Sequence, residues 1–326
     1  MSAGAGAPAG LRDLARARGL DLGAAVAPAP LREEPEYAAC LAREFSLATT
    51  ENALKMEPLR PEPGRWSFAG ADTIVDFAAA HDMKVRGHTL VWHQQVPEWV
   101  SKAPASELEP ILSAHIETVA GRYRGRIAIW DVVNEAVTDD GPPRDTLWLR
   151  GLGPDYLATA FRRAHQADAG ARLFYNDYGA EGLNPKSEAV YHLLRDLLDA
   201  AVPVHGVGLQ MHVPVQGHPR PDDVAANMAR LAGLGLEIHI TEMDVRLPLP
   251  VTEEALAAQA RVYGDLLQVC LDCPACTALI QWGVSDRHSW VPHFFEGTGA
   301  ALILDEAYRP KPAYRALVRI LGKATR

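Results

Sequence analysis

The sequence predicts an α/β protein built as a single (β/α)8 TIM barrel, and three observations carry that expectation. Short apolar, β-branched runs recur eight times along the 326 residues. Amphipathic stretches with helical spacing separate them, and this alternation generates a parallel sheet. No Gly/Ser/Pro-rich linker divides the series. The competing architecture is a doubly wound open sheet, but no strand is followed by GxGxxG or a phosphate loop.

The expected strands, in order, are LGAAV (22–26), SLATT (46–50), KVRGHTLVW (84–92), IAIWDVVNE (127–135), RLFYND (172–177), GVGLQMH (206–212), EIHITEMD (237–244) and ALIQWGVSD (278–286). Each is short and rich in Val, Ile, Leu or aromatic residues, as a strand buried on both faces requires. Helical periodicity marks 71–82, 106–123, 187–200, 221–235 and 252–271, the last opened by Thr252 with Glu254 soon after. MSAGAGAPAG is expected to be a flexible tail over residues 1–10, with one catalytic barrel over 11–326.

Composition narrows the function classes. Hydrophobic residues make up 48% of the chain, ample for a large core. Lys and Arg number 32 against 41 Asp and Glu, a net charge of −9 with no basic block, so no nucleic-acid partner is expected. No apolar run approaches membrane-spanning length and the N-terminus carries no recognisable export signal, so the expectation is a soluble chain without membrane contact. Cys40 stands alone, while Cys270, Cys273 and Cys276 lie in CLDCPAC. Those three leave open an incomplete metal site, a short-loop disulfide in an oxidising compartment, or unpaired buried thiols.

Function is concentrated where the strands end. WDVVNEAV (130–137) runs from a buried strand into Asn134 and Glu135, and EIHITEMDV (237–245) runs into Glu242 and Asp244. A barrel of this type collects its active site at the C-terminal ends of its strands. Alternation puts Asp131, Val133 and Glu135 on one face and Ile240, Glu242 and Asp244 on the equivalent face of another strand, so both glutamates point into the mouth. Two facing carboxylates suit glycoside hydrolysis: one protonates the leaving oxygen, the other attacks the anomeric carbon or activates water. His212 is placed to hydrogen-bond Glu242, with Asp244 orienting the imidazole, and Asn134 can donate to a sugar hydroxyl. Trp92, Trp282 and Trp290 offer flat faces for pyranose rings, while Glu51, Asn52, Lys55, His88, His93, Gln95 and Gln210 can bond hydroxyls. Trp66, Trp99, Trp130 and Trp148 are read as core packing.

At these residues the chain resembles glycoside hydrolase family 10, the retaining endo-1,4-β-xylanases. TENALKM (50–56), RGHTLVWHQQVPEW (86–99), WDVVNEAV, FYNDYGAEG (174–182), GLQMH (208–212), ITEMDV (240–245), WGVSDRHSWVP (282–292) and LDEAYRPKPAY (304–314) are similar to that family's blocks, in its order. The resemblance implies Glu135 as general acid/base and Glu242 as nucleophile, with His212 and Asp244 supporting the nucleophile and Asn134 near the sugar 2-hydroxyl. It further implies that Glu51, Asn52, Lys55, His88, Trp92, Gln95, Gln210, Trp282 and Trp290 line the glycone side, and Tyr178 the first aglycone subsite. Two departures stand out: Gly179 follows NDY where the family often has Asn, and ENALKM replaces the commoner ENEMKW. Cys270 and Cys276 have the spacing of a disulfide seen in some relatives.

The expected activity is endo-hydrolysis of xylan or xylo-oligosaccharides by a monomer using no metal and no cofactor. A related barrel acting on β-glucan, a catalytically silent polysaccharide-binding barrel, and a metal-dependent hydrolase using some of the twelve histidines are the alternatives. The HxH pattern that the last would need after an early strand is absent. A polymeric substrate implies an extracellular or periplasmic location, and imported oligosaccharides a cytoplasmic one.

Overall fold

A computed structural model describes residues 10–323. Ten strands form: β1 (Asp21–Ala25), β2 (Leu47–Thr49), β3 (Lys84–Val91), β4 (Ile129–Asn134), β5 (Arg172–Asp177), β6 (Gly206–Leu209), β7 (His212–Pro214), β8 (Glu237–Pro248), β9 (Cys276–Gln281) and β10 (Thr298–Gly299). Each of β1 to β5 pairs in parallel with the next, β6 pairs with β8, β8 with β9, and β9 with β1. Those eight strands close a (β/α)8 barrel. Two short additions lie on the long β8: β7 runs parallel to its second half and β10 antiparallel to its end.

Helices cover the outside, and the five expected segments form at Ala69–Ala80, Ala105–Arg122, Pro185–Asp199, Pro221–Gly233 and Glu253–Asp272. The last is capped as read, with Thr252 accepting from the backbone N–H of Ala255. Asn184 and Ser187 form a reciprocal capping box for the helix that follows β5. Inside the barrel, Leu47, Ile129, Phe174, Ala278 and Ile280 make a small apolar cluster separate from the large layer between strands and helices.

Several boundaries differ from the sequence expectation. Of the expected tail, residues 1–9 lie outside the described residues, while Gly10 is buried at the start of a helix, where a Cβ would meet the Arg43 carbonyl. The strand expected over 206–212 stops at Leu209, because Met211 takes a left-handed backbone (φ 67°) and His212 restarts extended structure as β7. The strand expected over 278–286 stops at Gln281. Register shifts between Asp131 and Val133, so strict alternation does not carry through β4. Trp130 and Trp148 are buried in the core as expected; Trp66 and Trp99 pack against it half-buried and clamp the Arg60 guanidinium, each ring centroid 4.7 Å away.

Cys270 and Cys276 are joined in a disulfide that ties the end of the preceding helix to β9; Cys40 and Cys273 are free thiols. Among the described residues, no helix is long and apolar enough to cross a membrane.

Candidate active site

Glu135 lies just past β4, and its backbone takes the left-handed conformation (φ 58°) that turns the side chain into the mouth. Its carboxylate is held from two sides. Trp92 Nε1 donates to Oε2 at 2.9 Å, while Asn134 Nδ2 and Gln210 Nε2 each donate to Oε1 at 3.0 Å. The backbone is fixed as well: the Glu135 N–H donates to the Asn176 carbonyl, and Arg144 Nε donates to the Glu135 carbonyl at 2.8 Å.

Glu242, on β8, is buried yet charged. Asn176 Nδ2 donates to its Oε1 at 2.7 Å, and His212 Nε2 to its Oε2 at 3.1 Å. His88 Nδ1 stands 3.9 Å from Oε1. Burial alone would push this carboxyl up, but the charge of His88 and the hydrogen bond and charge of His212 outweigh it and hold the group below the usual range. His212 in turn donates through Nδ1 to Asp244 Oδ2 at 2.7 Å. Burial would lower the imidazole's pKa; the charge and hydrogen bond of Asp244, with those of Glu242, push it up to about 10. Asp244 also accepts from Trp290 Nε1 at 2.8 Å.

Beneath the glutamates the barrel interior is ionic. Arg86 and Asp131, both fully buried, form a two-point pair, and Asp131 Oδ2 also accepts from His88 Nδ1 at 3.0 Å. Arg86 Nη1 donates to His239 Nδ1 at 2.9 Å. His88, expected to bond sugar hydroxyls, thus has one ring nitrogen committed to this support. A buried carboxylate is tolerable only with such partners, and Asp131 is held below the usual range despite its burial, chiefly by Arg86 and His88.

Two amides join the carboxylates. Asn134 Oδ1 accepts from Asn176 Nδ2 at 2.8 Å and from Gln210 Nε2 at 3.2 Å, so one continuous set of hydrogen bonds runs from Glu135 to Glu242. Asn176 is itself oriented by Thr241, whose hydroxyl donates to its Oδ1 at 2.7 Å. This amide needs Gly208 on the adjacent strand, since a Cβ there would lie 2.1 Å from Asn176 Oδ1. Asn176 was not among the site residues expected from sequence. Only the pairing of Asn176 with Gly208 across β5 and β6 signals its role, and that pairing appears once the register is known.

The remaining expected residues frame this centre. Lys55 Nζ donates to Asn52 Oδ1 at 2.8 Å and lies 4.8 Å from the Trp92 ring centroid and 5.9 Å from that of Trp282. Burial pushes Lys55 down, against the pull of Glu242, Glu51 and Glu135. Glu51 accepts from Asn52 and is pushed up by its own burial, against Lys55. Trp282 is buried, edge-on to His88 and His212 with centroids 5.2 and 6.1 Å away. Trp290 meets His212 edge-on at 4.9 Å. Gln95 sits half-buried at a left-handed position (φ 46°), its carbonyl accepting from Glu57. Tyr178 stands on the Glu135 side, its hydroxyl accepting from Arg144 Nη2 at 3.0 Å. His93 neighbours Trp92, and its Nδ1 is buried without a hydrogen-bond partner among the described residues. Among the described residues no group of three or more His, Cys, Asp or Glu is arranged to hold a metal ion.

Comparison with known proteins identifies the family of the chain. The profile of Glycosyl hydrolase family 10 matches residues 10–320. Endo-1,4-beta-xylanase B of Thermotoga neapolitana is 44% identical over 294 residues, covering 89% of this chain and 85% of the relative. Xylanase 10B of Thermotoga petrophila RKU-1, solved in complex with xylobiose, superposes with a TM-score of 0.95 at 42% identity, covering 98% of this chain and 99% of that one. Native xylanase 10B of Thermotoga maritima gives 0.93 at 44% identity, with 96% and 98% covered. A profile match along nearly the whole chain, joined to relatives of this similarity, establishes that the chain belongs to glycosyl hydrolase family 10.

Proposed function

We propose that the protein is a retaining endo-1,4-β-xylanase that hydrolyses internal β-1,4-xylosidic bonds of xylan or xylo-oligosaccharides through a covalent glycosyl-enzyme. One observation carries the assignment of roles. Glu242 is kept anionic by His88, His212 and Asn176, the state a nucleophile needs, while Glu135 sits across the amide bridge among neutral donors. In the first step a Glu242 oxygen attacks the anomeric carbon as Glu135 gives its proton to the departing glycosidic oxygen. In the second, Glu135 takes a proton from water, whose oxygen displaces Glu242 from the anomeric carbon.

Glu51, Asn52, Lys55, His88, Gln95 and Gln210 are the hydroxyl-binding groups of the glycone side in this reading, with Trp92, Trp282 and Trp290 as its apolar walls, and Tyr178 is the first aglycone contact. Asn134, already bonded to Glu135, is placed for the 2-hydroxyl of the reacting sugar. The wall made by Trp282 against His88 and His212 favours a pentopyranose, because a hydroxymethyl group pressed against it loses contacts it cannot recover. The xylanase names of the relatives support the same substrate. The protein acts as a monomer and without metal, and it works outside the cell or in the periplasm if the polymer is its substrate.

Reducing-sugar release from xylan, carboxymethylcellulose and mixed-linkage glucan, measured side by side, tests the proposal. Xylan should be hydrolysed fastest. Greater release from glucan would assign the protein to the related β-glucan-cleaving class instead.

A further inference from the structure

The leaving-group side of the site holds a buried cation that the mechanism above does not use. Lys186, in the first turn of the helix Pro185–Asp199, is buried with its Nζ 3.0 Å from Asp177 Oδ1 and 3.3 Å from Asp139 Oδ1. The ammonium also stands 3.4 Å from the centroid of the Tyr178 ring, covering one of its faces. The next residue, Gly179, takes a left-handed backbone (φ 67°) that suits glycine, and a Cβ there would make only ordinary contact, 3.7 Å from Lys186 Cδ. At the opposite end of the ring, Arg144 Nη2 donates to the Tyr178 hydroxyl, and the same guanidinium donates through Nε to the backbone carbonyl of Glu135. Tyr178 N–H donates to Asp177 Oδ1, the oxygen that also faces Lys186. Ring, hydroxyl and backbone are therefore each fixed, and the fixing runs back to the segment that carries Glu135.

An ion pair alone would need the ammonium only beside Asp177. Its seat over the ring centre adds an attraction between the cation and the ring's electron-rich face, strongest when the cation is desolvated. A platform held this way loses little freedom when a sugar stacks on it, so more of the contact appears as affinity.

We propose that Lys186 and Arg144 are positioning residues that hold the half-buried Tyr178 ring as a preorganised platform for the sugar ring departing with the leaving group. This rests on Glu135 being the acid/base, since that makes the Tyr178 side the leaving-group side. Tyr178 contacts the sugar; Lys186 and Arg144 act through it and set how strongly oligosaccharides, rather than small leaving groups, are used.

The test compares kcat/KM for xylotetraose with that for an aryl β-xylobioside, whose phenol places no sugar on the platform. In Lys186→Met the ratio of the two should fall about tenfold, mostly through KM for xylotetraose, as expected when a desolvated cation–ring contact is lost. Asp139→Asn removes one anchor of Lys186 from a largely exposed position, so it should fold normally even if Lys186→Met does not, and lower the ratio by about twofold to threefold. A general structural weakening would depress both substrates together and leave the ratio unchanged. An unchanged ratio in every variant that folds overturns this inference alone. A wild-type protein that cleaves neither substrate overturns the proposed function and this inference with it.

Discussion

Replacing His212 with Gln probes how the charge of the proposed nucleophile is maintained. In the native site the imidazole lies between two carboxylates, 2.7 Å from Asp244 and 3.1 Å from Glu242. Burial works against its charge, but Asp244 and Glu242 prevail and raise its pKa from 6.5 to about 10. A rise of that size corresponds to about 5 kcal/mol of preference for the imidazolium. Because the folded value lies above the unfolded one, this stabilisation is complete below about pH 6.5 and is lost as pH climbs through about 10. His212 is therefore a fixed cation through the neutral range. His212→Gln removes that cation and offers amide hydrogens in its place, leaving Glu242 with the Asn176 donor at Oε1 and His88 3.9 Å away. Loss of an adjacent opposite charge moves a carboxylate by about 1–3 pKa units, and the surviving partners put the expected effect at the low end. The acid limb of kcat/KM on an aryl xylobioside should move up by about 1–2 pH units, with a loss of about tenfold or more on the acid side and a smaller one at alkaline pH. An acid limb that does not move refutes the reasoning, as does an imidazole resonance of the native protein that titrates near its ordinary pH.

Three further outcomes follow from the same geometry. Asn176→Ala removes the shared donor between the carboxylates and should lower kcat/KM by about tenfold to a hundredfold, the range for a hydrogen bond to a charged group; a change below threefold would make that amide merely structural. Glu135→Ala should release a burst of phenol from an aryl xylobioside and then stall until azide is added, giving the β-glycosyl azide. Glu242→Ala rescued by azide should give the α-azide, and the opposite pairing of products would exchange the two roles. His115, fully buried with neither ring nitrogen hydrogen-bonded among the described residues, is pushed down to about 3 by burial and by Arg60. With the folded value below the unfolded 6.5, stability is complete above about pH 6.5 and falls by about 1.4 kcal/mol per pH unit toward pH 3. Calorimetry should show that His115→Leu flattens this acid loss, and parallel curves for the two proteins would exclude it.

The barrel was legible because its strands are buried on both faces, which demands continuous β-branched and apolar runs that stand out between amphipathic helices. Glu135 and Glu242 were legible because an ionisable residue at the end of such a run is costly unless it has a use. The details that set their chemistry depend on contacts between distant segments. The backbone turns left-handed at Glu51, Gln95, Glu135 and Met211, residue types that give no local signal for it. Met211 breaks the sixth strand, and this break lets His212 pair in parallel opposite Asp244. Asn176, inside the expected strand RLFYND, gives no local signal of its role, which emerges only with the glycine beside it across the sheet. His88 read as a hydroxyl ligand because nothing nearby in sequence discloses Asp131 beneath it. Lys186 carries no local sign of its role, and only the fold brings Asp177, Asp139 and Tyr178 around it.

The most direct measurement is to trap the intermediate. A 2-deoxy-2-fluoro xylobioside with an activated leaving group slows breakdown of the glycosyl-enzyme more than its formation, so intact-protein mass spectrometry should show one added glycosyl residue, and peptide mapping should locate it. Double displacement with the proposed roles requires the label on Glu242 within EIHITEMDV, and no label on the Glu242→Ala variant. Label on Glu135 would reverse the assignment of the two carboxylates, and turnover of the fluorinated substrate without any labelled protein would contradict the covalent mechanism.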